Sequence, residues 1–152
     1  SAVNSLDVVI LGATQVDDDF NVNVHTDSNG FIMGGSGGHS DTAAGAKLAM
    51  IAAPLFRARL PIVVDKVITT STPGSTVDVL VTQRGIAVNP ARQDLAHSLK
   101  AAGLPVYPIR ELRAMAERLT GVPRPVARGD RVVARVEYRD GSLLDEIYQA
   151  IG

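Results

Sequence analysis

Four of the fourteen glycines fall in the five positions Gly34-Gly35-Ser36-Gly37-Gly38. Glycine loses more backbone freedom on folding than any other residue, so such a cluster needs a physical reason. With no Cβ atoms in the way, several N–H groups can converge on one oxygen. The loop therefore suits a phosphate, a carboxylate or the oxyanion of an acyl-transfer intermediate. Ser40 or Asp41 is the expected N-cap of a short helix beyond it, whose positive end would add to that field. The competing reading is a tight strand-to-helix crossover that binds nothing.

The side chains around the loop leave several chemistries open. Histidines stand at 25, 39 and 97. No two have the i, i+4 spacing of a helical metal site and no H-E-x-x-H is present, so no metal is expected. His39 could give a hydrogen bond or a proton to an anion, or simply cap backbone groups. His97 is expected on the polar side of a helix. Ser36 is the centre of a G-x-S-x-G string. In a hydrolase elbow the helix starts directly after the serine, whereas here two glycines follow, which start helices poorly. Asp65, Asp78 or Asp94 followed by His97 keep the Ser…Asp…His order, so a serine hydrolase remains an alternative. A P-loop fails because His39 follows Gly38, and a dinucleotide fingerprint fails at Ser40. Asn21 and Asn23, two apart on an expected strand, would point the same way, and paired amides can hold a carboxylate or carbonyl. A solvated strand face is the alternative there.

These residues need elements to position them. Leu6 to Ala13 reads as a strand buried on both faces and ended by glycine. Val16 to His25 contains the alternation of a strand with one polar face, and Asp27-Ser28-Asn29-Gly30 is a turn. Leu48 to Leu55, Pro61 to Val67, Val77 to Thr82 and Gly85 to Asn89 read as strands, the last two about a turn at Gln83-Arg84. Ser71 to Ser75 is a loop marked by Pro-Gly. A helix is expected from Arg92 to Ala102, with Leu95 and Leu99 inward and Gly103 just past its end. A second is expected from Glu111 to Thr120, with Leu112, Met115, Ala116 and Leu119 on its core face. Leu104 to Ile109 reads as a short strand between them. Val122 to Arg128 is a linker, and Arg131 to Tyr138 and Ser142 to Tyr148 flank Asp140-Gly141 as a hairpin. Strands first and helices alternating late give an α/β class with a mixed sheet.

Composition narrows the setting. The 152 residues suggest one domain, and the absence of cysteine removes disulfides, thiolate catalysis and Fe–S clusters. A net charge of −1 argues against non-specific nucleic-acid binding. The charge divides unevenly, −5 over residues 1–50 and +4 over the remainder. Eight arginines between Arg110 and Arg139 either form a basic surface for an anionic partner or are spread over solvated faces. The longest apolar run, Leu48 to Phe56, is too short to span a membrane. No signal peptide is visible, which makes an intracellular protein the default. A strand starting almost at the first residue suggests a piece of a longer polypeptide.

The residues also carry a family resemblance. Leu11-Gly12-Ala13-Thr14-Gln15-Val16-Asp17, Phe20-Asn21-Val22-Asn23-Val24 and Gly34 to Asp41 resemble the CoA-transferase superfamily. The string Gly34 to Leu48, with Thr76-Val77-Asp78, Gly85 to Pro90 and Val136 to Gly141, resembles its citrate lyase alpha-subunit family. The resemblance implies a CoA-transferase-like α/β domain with a mixed, mainly parallel sheet, flanking helices and a C-terminal β-hairpin. It implies the C-terminal half of a cytoplasmic two-domain subunit about three times this length, with the active site between the halves. The implied reaction moves a CoA or CoA-like acyl-carrier thioester from acetyl to citrate. The implied partners are the N-terminal half, the citrate lyase beta subunit that cleaves citryl thioester, and the gamma acyl carrier with its phosphoribosyl-dephospho-CoA arm. Citrate and the acetyl thioester are substrates, no cofactor is tightly bound, and neither nucleic acid nor membrane is a partner. Related CoA transferases use a nucleophilic glutamate upstream of the first strand seen here, and no residue of this chain matches it.

Carried onto this chain, Gly34, Gly35, Gly37, Gly38 and the His39 amide would hold the thioester carbonyl or incoming carboxylate. Asn21 and Asn23 would line the acyl site, with Ser36, His39 and Ser40 as candidate donors. One well-placed donor is worth about 10²–10³ in rate. Besides the serine hydrolase, a non-catalytic assembly domain and a sugar-phosphate isomerase-like phosphate binder are the alternatives.

Overall fold

The computed structural model describes residues 2–152. A single 3₁₀ turn leads into β1 (Val8–Leu11), β2 (Gln15–Asp17) and β3 (Val22–Asn23). The glycine loop then enters α1 (His39–Gly45), followed by β4 (Leu48–Ala52) and three two-residue strands, β5 (Phe56–Arg57), β6 (Leu60–Pro61) and β7 (Val63–Val64). Next come β8 (Val79–Thr82), β9 (Gly85–Val88), α2 (Gln93–Ala101) and α3 (Ile109–Thr120), then the hairpin β10 (Arg128–Glu137) and β11 (Leu143–Ala150).

The main sheet runs β1-β4-β8-β9. Its first three strands are parallel and β9 returns antiparallel, so the sheet is mixed and mainly parallel as expected. A second sheet, β3-β2-β7, joins an antiparallel and a parallel pair. The shared core is built from Val16, Phe20, Val22, Ile51, Leu55, Val63, Leu80 and Leu112. The amphipathic α3 closes it with Ile109, Leu112 and Ala116 facing inward, laid against β6, β7 and β9. Burying a leucine such as Leu112 contributes about 1.5–3 kcal/mol.

The structure corrects several expectations. β1 is an edge strand, and Val8 and Ile10 are 50% and 64% exposed, so only one of its faces is covered. The expected strand over Val16 to His25 is broken: Phe20 turns with φ 64° and β2 and β3 pair with each other. Pro61 to Val67 is divided, β6 pairing with β5 and β7 with β2. The N-cap of α1 is Gly38, not Ser40 or Asp41, and no side chain caps the helix. Leu119 points outward at 58% exposure, because the core stripe of α3 ends at Ala116. Leu104 to Ile109 makes a single bridge from Val106 to Ile86 instead of a strand, and α3 begins already at Ile109. The hairpin starts at Arg128, inside the expected linker.

Candidate functional site

The glycine loop is held at both ends and free between. At its start, Asp27 organises a turn, its carboxylate accepting the Asn29 and Phe31 amides at 2.8 and 3.0 Å. Thr26 bridges to Ile32, and the Met33 amide donates to the His25 carbonyl at 2.8 Å. At its end, Gly38 accepts the Thr42 amide at 2.9 Å as α1 begins. Between these anchors, none of the N–H groups of Gly34, Gly35, Ser36, Gly37 and Gly38 has a partner among the described residues. All four glycines of the loop are exposed.

Packing inside the chain does not explain these glycines. A Cβ on Gly34, Gly35 or Gly37 would meet nothing within 4 Å, and only Gly37 has a positive φ, 57°. Gly74 shows the contrast, since a Cβ there would collide with the Asp19 carbonyl. The loop thus offers a run of unpaired amides on an open surface, at glycines that, Gly37 with its positive φ apart, the chain's own packing and backbone do not require.

His39 is not a free donor at this site. The residue is 8% exposed, its Nε2 lies 2.9 Å from the Gly12 carbonyl and its Nδ1 lies 2.7 Å from the Thr72 hydroxyl. A carbonyl can only accept, so Nε2 carries the proton and Nδ1 accepts from Thr72. Burial pushes the imidazole pKa down, with the Gly12 carbonyl pulling the other way. The ring is a neutral strut joining the end of β1, the 71–72 segment and α1. The His39 amide is engaged as well, donating to the Ser36 carbonyl at 3.2 Å.

Asn21 and Asn23 do not line up. Asn23 is fully buried, its Nδ2 donating to Gln15 Oε1, the Thr26 carbonyl and Thr26 Oγ1. Its Oδ1 accepts the amides of His25 and Thr26. Asn21 donates to Asp17 and accepts the Gly74 amide at 2.8 Å. Asn23 thereby holds His25 and Thr26, where the loop is anchored, whereas Asn21 ties Asp17 to Gly74. Asp17, 2% exposed, gathers the amides of Asp19, Asn21 and Val67. Burial raises its pKa and these donors oppose the rise.

Ser36 and Ser40 have hydroxyls with no partner among the described residues; Ser36 is half-buried in the loop, whereas Ser40 is buried in the first turn of α1. The Ser36 hydroxyl is hydrogen-bonded to no histidine among the described residues: both nitrogens of His39 are occupied, His25 Nδ1 is bonded to Ser71, and His97 is exposed on α2. Among the described residues no cluster of His, Asp and Glu could hold a metal ion, and no helix is long and apolar enough to cross a membrane.

The sequence reading passed over His25. Its Nδ1 is bonded to the Ser71 hydroxyl, side by side with the His39–Thr72 pair. Burial lowers the His25 pKa and the His39 imidazole lowers it further. The alternation that singled out Asn21 and Asn23 reaches His25 one step later.

A mixed, mainly parallel sheet beside an exposed glycine loop makes this an α/β domain. The structure of an acyl-CoA transferase from Escherichia coli O157:H7, in a thioester complex with CoA, matches 82% of this chain and 31% of its own at a TM-score of 0.50 and 20% identity. That likeness is one of fold.

The sequence relatives are narrower. The family model for the citrate lyase alpha subunit matches residues 1–150, and the chain belongs to that family. It is 62% identical to the citrate lyase alpha chain of Klebsiella pneumoniae and 54% identical to that of Escherichia coli K12, covering 95% and 98% of this chain. It spans only 28% and 29% of those two relatives. A crystal structure of the proposed alpha subunit of citrate lyase from Streptococcus mutans, in complex with citrate, matches all of this chain and 30% of its own at TM-score 0.97 and 49% identity.

Proposed function

We propose that the chain is the C-terminal half of a two-domain citrate lyase alpha subunit and supplies the loop that binds the acyl groups during transfer. The reaction is acetyl thioester plus citrate giving citryl thioester plus acetate. The C–S bond to the acetyl carbon breaks, a C–S bond to a citrate carboxyl carbon forms, and one carboxylate oxygen leaves on acetate. The thiol is CoA or the arm of an acyl carrier. The chemistry needs donors for an incoming carboxylate and for the oxyanion that develops on the thioester carbonyl. The observation that carries the reading is the run of unpaired amides from Gly34 to Gly38, at glycines with open space around them.

Other residues take supporting roles. Ser36 and Ser40 can add hydroxyl donors. Asn21, Asn23 and His39 hold the surrounding chain, so they act through position. The exposed apolar edge at Val8 and Ile10 is where the other half of the longer polypeptide packs. A cytoplasmic location, with the beta subunit and the acyl carrier as partners, follows from this reading.

The test is transfer by the full-length polypeptide, followed as citryl-thioester formation from acetyl-CoA and citrate. Ser36→Ala should lower the rate by about 10²-fold or less if the hydroxyl is one donor among several. Abolished thioester hydrolysis in that variant, with no citrate-dependent transfer in the parent, would instead establish the hydrolase. No turnover of any kind by the full-length polypeptide would leave a non-catalytic assembly domain.

A further inference from the structure

We propose that His25 is a second ligand-contacting donor of this site, its Nε2–H bonding a carboxylate of the tricarboxylate substrate beside the glycine loop. The proposal rests on the functional reading above and adds a residue to it. The Ser71 hydroxyl fixes the proton. Ser71 Oγ accepts the Val24 amide at 2.9 Å, and the acceptor in reach of its own hydrogen is His25 Nδ1. Nδ1 is therefore an acceptor, and a neutral imidazole then carries its one proton on Nε2. Nε2 has no partner among the described residues, and because no buried side-chain nitrogen is left unpaired, it reaches the surface.

The backbone ties His25 itself to the base of the loop. The His25 carbonyl accepts the Met33 amide, one residue before Gly34. The His25 amide is held by Asn23 Oδ1 at 3.1 Å, inside the buried amide network. Both ends of the residue and one ring nitrogen are thus fixed before a ligand arrives, which lowers the ordering cost of binding. Burial and the nearby His39 keep the ring uncharged at neutral pH. A neutral N–H donor complements a carboxylate by hydrogen bonding alone, and the neighbouring His39 ring is neutral as well.

The experiment measures citrate affinity by calorimetry and transfer kinetics in the full-length polypeptide within its complex. His25→Asn keeps a group that can reach Ser71 and removes the donor at the Nε2 position. Its citrate Kd should rise about tenfold or more, with the unfolding midpoint unchanged. His25→Gln extends a terminal amide toward the Nε2 position and should recover most of that loss. Ser71→Ala, which frees the tautomer, should fall between. Unchanged Kd in His25→Asn, with Gly35→Ala weakened, would overturn the role of His25 and leave the loop reading standing. Equal loss in the Asn and Gln variants together with a lowered unfolding midpoint would make His25 structural and overturn the proposal. Loss in His25→Asn with Gly35→Ala binding normally would remove the loop from the site, and both readings would fall.

Discussion

At Gly35 the reasons for glycine can be separated experimentally. A Cβ there meets nothing within 4 Å and the backbone φ is not positive. Gly35→Ala should therefore leave stability unchanged or raise it by about 0.4–1 kcal/mol, by restricting the unfolded chain. The same methyl stands beside amides assigned to the substrate, so transfer should fall about 10²-fold, the cost of a small misplacement at a reacting centre. Denaturant midpoints and steady-state rates on one variant check both halves. His39 behaves oppositely. His39→Ala leaves the buried Thr72 hydroxyl without its partner, at about 1–3 kcal/mol for such a group, while the carbonyl of the exposed Gly12 can turn to water. Its pH signature has a definite sign. The folded ring titrates below the usual 6.5, so between those values the unfolded chain binds a proton that the folded chain does not. Stability then falls as pH drops from neutral through that window. His39→Gln should reduce this loss, read as unfolding free energy across about pH 7.5 to about pH 5. His25 contributes with the same sign.

The elements divide by what determines them. In α3 the core stripe is Ile109, Leu112 and Ala116, while Leu119 lies in solvent. Leu112→Ala should cost about 2–5 kcal/mol and Leu119→Ala within about 0.5 kcal/mol, compared by denaturant midpoint at unchanged slope. The helix itself was legible, because helical spacing of apolar residues is a local signal. So was the hairpin, where Asp140-Gly141 sets the turn and Gly141 has φ 83°. The β2–β3 region was not. Phe20-Asn21-Val22-Asn23-Val24 has the period of a strand, but Asp17 gathers the amides of Asp19 and Asn21 into a turn. That is a side-chain-to-backbone competition which periodicity cannot register. For the same reason the glycine loop could be found from composition alone, while the use of His39 could not. Its partners, Gly12 and Thr72, are 27 and 33 residues away.

At the scale of the whole molecule, β1 leaves Val8 and Ile10 in solvent at one edge of the main sheet, and the chain spans less than a third of its curated relatives. If the remaining polypeptide packs there, Ile10→Lys in the full-length protein should destabilise it by about 1–3 kcal/mol, measured by chemical denaturation. The central claim is that the amides of Gly34 to Gly38 take a substrate oxygen. Its most direct test is hydrogen exchange read by mass spectrometry on the full-length polypeptide with and without saturating citrate. Slowed exchange in peptides covering residues 33–42, with α2 peptides unchanged, is the predicted result. Citrate bound at saturation with exchange across residues 33–42 unaltered would contradict the account.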